Sequence, residues 1–489
     1  MGKREAQQCV VGELDPESGL CVVKARRRGD QASTLSGVRA PPSRTLPPET
    51  PPQAGTGRVR PARTRYRMSG CLRVSRIAHR LIRPTVSRLR RTLPAGARSL
   101  LDAAIESATE SGSELWVIGG AIRDLAAGGA PAEVDLACDG DPAALAASIA
   151  TRLGETATVR AEPRFATARV EWRERRLDIA ALRGERYARP GALPAVHPGA
   201  TIEADLGRRD FSVNAIALGV AGPRGGELLD PCGGLEDLAS RQLRALHADS
   251  FRDDATRLWR GARCAATLGL RPDPETARLI EDAPRWIARS SGRRLWAEFE
   301  RVAASRRTGA ALRLLDGWGA LRGVHPAWSL TPEASQALSR RPGPHSPALL
   351  LAVLLAPLAE REAIAARLTA PRAARRSTGE AARLLAVRDR TPPTLAALEG
   401  VSGEARTAAR WLDPAGQRLL QHELRRWERT RPPLDAAALL RLGLARGPEL
   451  GAWLERLRRE RYLGNLRDAA SARRAVRAAL RHAAEPEER

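Results

Sequence analysis

Leu115-Trp116-Val117-Ile118-Gly119-Gly120-Ala121-Ile122-Arg123-Asp124 reads as a short apolar strand that ends on a glycine pair and turns into a helix. Two glycines let the backbone approach a bulky anion such as a triphosphate, and Arg123, three residues on, can clamp it with a planar pair of donors. Taken alone, such a pair is a tight turn. It gains weight from Glu133-Val134-Asp135 just downstream. Residues two apart in a strand face the same side, so this spacing aims both carboxylates at one spot. Two acids so placed repel unless a cation lies between them, and oxygen ligands beside a triphosphate suit Mg2+. An isolated acid-x-acid triplet is a solvated strand face; after Gly-Gly-x-x-Arg-Asp it reads as a metal site.

Working outward, a helix is predicted at 100–108 and further strands at 168–172, 177–180 and 215–220, with helical stretches between them. After Pro231 strand signals disappear. Amphipathic helices rich in Leu, Ala and Arg then run to the end, broken at Pro272, Pro342-Gly343-Pro344 and Pro432-Pro433. Residues 1–92 form a basic extension rich in Pro and Arg, with Pro41-Pro42, Pro47-Pro48 and Pro51-Pro52, and no sustained periodicity. Such a stretch buries too little apolar surface to offset its chain entropy, and disorder is expected. Glu13, Asp15 and Glu17 argue against a transit peptide. The pattern becomes more helical beyond Met68, so translation is expected to start there.

The chain has 489 residues, enough for roughly two to four domains. Its net charge is +25, and Lys3 and Lys24 are its only lysines, so arginine carries the positive charge. Codon bias explains part of the arginine excess but not the sign of the balance, which points to nucleic acid. The cysteines Cys9, Cys21, Cys71, Cys138, Cys232 and Cys264 show no paired spacing for zinc or a redox dithiol. No apolar run is long enough to span a bilayer, and the N-terminus lacks the apolar segment of a secretory signal. A reduced, cytoplasmic protein with no membrane association is expected, and no stable protein partner is evident.

The motifs continue in order through Leu177-Asp178-Ile179-Ala180, Glu185-Arg186-Tyr187 and Pro190-Gly191-Ala192-Leu193-Pro194. Next come Asp205-Leu206-Gly207-Arg208-Arg209-Asp210-Phe211-Ser212-Val213-Asn214-Ala215 and Asp230-Pro231-Cys232-Gly233-Gly234-Leu235-Glu236-Asp237-Leu238. The run closes with Ser250-Phe251-Arg252-Asp253-Asp254-Ala255-Thr256-Arg257-Leu258-Trp259-Arg260-Gly261-Ala262-Arg263. This ordered set resembles the class II tRNA nucleotidyltransferase and poly(A) polymerase family of the polymerase-beta-like superfamily. Coverage runs from about 97 to 480 and is strongest between 115 and 270. The resemblance implies an α+β fold: a nucleotidyltransferase head with a mixed sheet and helices at 93–235, a helical neck with a nucleotide-templating helix at 236–305, and a helical body and tail that grip tRNA at 306–489.

It also implies roles. Glu133 and Asp135 hold Mg2+, and Asp178 is a third carboxylate. Gly119, Gly120, Arg123 and Asp124 meet the triphosphate, while Arg208, Arg209, Asp210 and Asn214 position phosphate and ribose. Asp253, Asp254 and Arg257 form the protein template for the base, with Arg260 and Arg263 along the same flank. The substrates implied are tRNA, CTP and ATP, and the activity is template-free addition or repair of the tRNA 3′ CCA end by two-metal nucleotidyl transfer. Alternatives are a CC-adding enzyme, an A-adding enzyme, a poly(A) polymerase, and a non-catalytic RNA-binding relative. The loop that distinguishes them is expected within 154–175. Two positions depart from the family pattern: Glu133, where aspartate is usual, and Cys264, where phenylalanine is usual and a packing role is expected. No downstream His-Asp pair of a metal phosphohydrolase is seen.

Overall fold

The computed structural model describes residues 21–23, 81–386, 400–413 and 418–484. Its head is a sheet of eight strands: β1 (Cys21–Val23), β2 (Leu115–Ile118), β3 (Asp135–Cys138), β4 (Thr158–Glu162), β5 (Thr167–Trp172), β6 (Arg175–Ala181), β9 (Ala217–Ala221) and β10 (Leu228–Leu229). A separate hairpin joins β7 (Arg183–Arg186) to β8 (Ala195–Pro198). The spatial order is β1-β4-β5-β6-β3-β2-β9-β10, so the apolar β2 and β9 lie inside the sheet, buried along their whole length. β3 and β6 run parallel, and every other pair in this sheet is antiparallel.

α2 (Ala95–Ser111) and α4 (Pro142–Leu153) share a core with the sheet that includes Leu100, Leu101, Val117, Leu136, Ile149 and Val170. α4 starts where the sequence directs it: Asp141 caps the Ala143 amide, Pro142 occupies the first turn, and Gly154 ends the helix. Beyond the sheet, Trp259, Phe299, Leu312, Trp328, Leu351 and Ala381 belong to one continuous core. That core crosses the expected neck–body boundary at 305 without a break. Leu434, Leu439, Leu457, Leu466 and Val476 form a separate cluster in the tail. No helix among the described residues is long and apolar enough to cross a membrane.

Three differences from the sequence reading have clear causes. Order begins before 93: the helix α1 (Val86–Thr92) is capped by Thr85 and buries Leu89, and β1 adds to the sheet edge against β4. Residues 1–20 and 24–80 of the expected disordered extension lie outside the described residues. Strands do not end at Pro231, since Gln242–Leu243 pairs with Arg271–Pro272 in a ladder too short to leave a periodic signal. The segment 154–175 is largely a β4–β5 hairpin; Val159 and Ala161 alternate with exposed partners and sit beneath α4.

Candidate active site

The site forms where β2 ends and β3 begins, beside the middle of β6. Gly119 follows β2 with φ 69 and ψ −126, a conformation that favours glycine, and a Cβ there would lie 3.3 Å from Nη1 of Arg209. Its amide bonds the Ile216 carbonyl at 3.0 Å, which ties the turn to the 210–216 segment. Asp135 opens β3 and is paired in register with Asp178 of β6 on one side and Ile118 of β2 on the other. Adjacent positions in a sheet point the same way, so register alone brings these two carboxylates together. They line a cleft of about 490 Å³ with Arg160, Arg169 and Arg209.

Asp135 is open to solvent at the mouth of this cleft. The enclosing walls nevertheless desolvate its carboxyl and push its pKa up. Asp178 and Glu133 push in the same direction, and Arg209 and Arg176 pull against them. A like-charged cluster with this effect on its central member has the electrostatic character of a cation site. The donors, all carboxylate oxygens, suit a hard divalent ion, and Glu133, Asp135 and Asp178 are the residues that would hold Mg2+. Glu133 precedes β3 rather than lying within it; its exposed side chain bonds Arg176 at 2.9 Å. Asp178 is held by Arg169. Among the described residues no three His, Cys, Asp or Glu side chains are gathered into a ready metal-holding group.

Behind the cleft, Asp205 lies buried under two arginines. Arg208 reaches it at 2.6 Å and Arg209 at 2.9 Å. Burial would raise this carboxyl, but the two guanidiniums hold it below its ordinary value. Arg208 also bonds Glu185 at 2.5 Å and the Arg183 carbonyl at 2.8 Å, so it braces the fold. Arg209 lines the cleft and faces Gly119.

A second chain of contacts runs from the glycine turn into α8 (Thr256–Leu268). Arg123 bonds Asp124 at 2.9 Å and Oδ1 of Asn214 at 2.5 Å, and Nδ2 of Asn214 donates to Asp210 at 3.0 Å. Arg260 lies 3.6 Å from Asp210 and 3.0 Å from Asp254. The other oxygen of Asp254 accepts from Thr256 at 2.5 Å and meets Arg294 at 2.7 Å. Burial pushes Asp254 up, but Arg260 and Arg294 keep it below its ordinary value, so it stays ionised inside the protein.

Asp254 and Arg257 take different hydrogen-bond partners. Arg257 is buried and donates to Ser250 at 2.8 Å, to His247 at 2.9 Å and to the carbonyls of Arg209 and Arg208 at 3.2 and 3.1 Å. It ties α8 to the segment that carries Arg209. Asp253 is half-buried, and its carbonyl accepts from the Gly191 amide at 3.3 Å. Burial lowers the Arg263 guanidinium, with Glu298 pulling against that shift. Cys264 does more than pack: Arg123 approaches its sulfur at 3.8 Å. Arg169 and Arg294 carry no local signal because their partners, Asp178 and Asp254, are remote in sequence, whereas Asp205 meets Arg208 and Arg209 at i+3 and i+4 within its own motif.

Asp230-Pro231-Cys232-Gly233-Gly234 proves to be a clamp for this network. The Asp230 carboxylate caps the amides of Gly234 and Leu235 at 2.7 and 2.9 Å, and a Cβ on Gly234 would lie 2.1 Å from the Ser212 carbonyl. Gly234→Ala is therefore expected to cost about 1–3 kcal/mol or more in overpacking. Urea denaturation checks this against Gly379→Ala, where the nearest neighbour of a new Cβ is a side-chain oxygen at 3.9 Å and no loss is expected.

A strand–Gly–Gly–helix turn, in-register carboxylates and a cleft lined by both arginines and acids define a nucleotidyltransferase of the polymerase-beta-like fold. Residues 115–244 match the poly(A) polymerase head domain family. The CC-adding tRNA nucleotidyltransferase of Deinococcus radiodurans is 34% identical over 374 residues, covering 75% of this chain and 90% of that protein. The A-adding tRNA nucleotidyltransferase of Halalkalibacterium halodurans is 39% identical over 175 residues, covering 36% of this chain and 40% of that protein. A solved apo CCA-adding enzyme superposes with TM-score 0.62 at 24% identity, covering 81% of this chain and 99% of that one. The chain belongs to the tRNA nucleotidyltransferase and poly(A) polymerase family and is a template-independent tRNA nucleotidyltransferase.

Proposed function

We propose that this chain transfers CMP and AMP from CTP and ATP to the 3′ end of tRNA, building or repairing the terminal CCA with release of pyrophosphate. The observation that supports this best is the pairing of Asp135 with Asp178 beside the Gly119–Gly120 turn. It sets a carboxylate pair next to backbone that a triphosphate can approach. Mg2+ held there would lower the pKa of the attacking 3′-hydroxyl and neutralise charge on the departing pyrophosphate.

The chain's own residues do the rest. Arg209, braced by buried Asp205, presents a fixed guanidinium to phosphate at the cleft wall. Arg123, oriented by Asn214, approaches the glycine turn from the other side. Asp254, kept ionised by Arg260 and Arg294, offers a carboxylate acceptor to the exocyclic amino group that cytosine and adenine share. The arginine-rich helices Pro448–Tyr462 and Ala469–Ala484 supply phosphate contacts for an A-form acceptor stem.

A second reading confines the activity to the two cytidines, favoured by the near full-length similarity to a CC-adding relative. Incubation with tRNA lacking CCA, Mg2+ and each labelled nucleotide alone and together separates the two. Growth by three residues with CTP and ATP supports CCA addition; growth that stops after two cytidines establishes the second reading. Absence of any product with either nucleotide would overturn both.

A further inference from the structure

Two arginines from the β5–β6 hairpin reach acids in and beside the cleft. Arg169 stands opposite Asp178 in the β5–β6 register and grips its carboxylate with both ends of the guanidinium, at 2.6 and 3.2 Å. Arg176 holds Glu133 at 2.9 Å. Two of the three acids are thus each neutralised by a neighbouring cation, while Asp135 between them forms no such pair among the described residues. This explains why the three carboxylates are not gathered: each outer one is turned toward its own arginine.

The Arg169–Asp178 pair is partly open to water, with side chains 41% and 37% exposed. Ion pairs of this exposure are weak, since solvent and mobile ions compete for both partners. A compact divalent ion carries twice the charge and can draw on Asp135 as well, so it can displace the guanidinium. Arg169 lines the same cleft as Asp135 and Arg209, so once released it remains beside whatever anion enters.

We propose that Arg169 is a displaceable placeholder for the divalent cation: it holds the Asp178 carboxylate in the metal-free chain, and metal entry frees it to face the triphosphate. Metal and nucleotide binding are coupled through this exchange. The proposal rests on the reading of the cleft as a metal-dependent nucleotidyl-transfer site. In this scheme Arg169 acts on metal binding through Asp178 and, once freed, on the triphosphate directly.

The test is a Mn2+ titration of the full chain without nucleotide, with free Mn2+ followed by electron paramagnetic resonance and folding followed by thermal melting. Arg169→Met should bind Mn2+ about two- to fivefold tighter than the wild type, the gain expected from removing a partly exposed competing ion pair. Its CTP affinity in the presence of Mn2+ should fall. Arg169→Lys, which cannot grip both oxygens, should lie between the two and decides the matter if Arg169→Met does not fold. Introducing Asp178→Asn should erase the difference between Arg169→Met and the parent. If Arg169 merely staples the hairpin, its removal lowers the melting temperature and leaves Mn2+ binding equal or weaker, and the placeholder is overturned while the metal reading stands. Failure of every variant and of the wild type to bind Mn2+, even with CTP, overturns the metal reading itself.

Discussion

Asp135→Ala is expected to reduce nucleotide addition by roughly a thousandfold or more, because loss of even one charge-stabilising group from an active site costs about 10²–10³ in rate. The geometry makes this residue central. It opens β3, pairs with Asp178 in register and lies next to the β2 end that leads into the glycine turn. Its environment already disfavours the ionised form through desolvation and the neighbouring acids, so its charge has value chiefly when a cation is present. The strand itself should not suffer. The side chain is exposed, and β3 is anchored by buried Leu136, Ala137 and Cys138. Affinity for tRNA should therefore stay within about twofold, since the proposed function assigns that interaction to phosphate contacts on the helical region. Single-turnover CTP incorporation, with filter binding of labelled tRNA in parallel, checks both halves. Turnover by Asp135→Ala within tenfold of the parent would remove Asp135 from the reaction.

The fold was legible in the sequence where local pattern and tertiary role agree. The apolar Leu115–Ile118 run is buried throughout, and the glycine after it takes the positive φ that a turn of this kind requires. Alternation in 168–172 marked β5 because one face is covered and the other is not. Sequence spacing failed where a partner is remote. Asp135 and Asp178 meet through a parallel register set by α4 and the strands between them, a relation no local window contains. Glu133 shows the opposite error. Its i, i+2 spacing to Asp135 predicted a shared strand face, but β3 begins only at Asp135, and the longer side chain turns to Arg176. The spacing of Arg257, Arg260 and Arg263 predicts one flank, yet Arg257 is buried among carbonyls while Arg260 bridges two aspartates. Steps of three advance less than a full helical turn, so the ladder winds around α8 rather than running straight along it.

That winding separates two substitutions which the sequence alone would treat alike. Arg257→Ala removes a guanidinium whose donors go to Ser250, His247 and the carbonyls of Arg208 and Arg209, so it should slow incorporation of every nucleotide by loosening the segment that presents Arg209. Asp254→Ala should act differently. Cytosine and adenine both offer an exocyclic amino group, which an ionised carboxylate accepts, whereas uracil and guanine present a carbonyl at the corresponding position. With Asp254 gone, Arg260 and Arg294 lose the oxygens they now bond at 3.0 and 2.7 Å, and the same spot becomes lined by donors alone. The edge then repels an amino group and attracts a carbonyl. A well-made base contact discriminates by about 1–3 kcal/mol, or roughly five- to 150-fold. On the proposed role of Asp254, the ratio of CTP and ATP to UTP and GTP incorporation should therefore fall by that factor, with tRNA affinity little changed. Single-nucleotide incorporation of all four triphosphates by both variants distinguishes the cases. A uniform loss in Arg257→Ala with a changed ratio in Asp254→Ala places base selection on Asp254, and an unchanged ratio in Asp254→Ala shows that selection lies elsewhere.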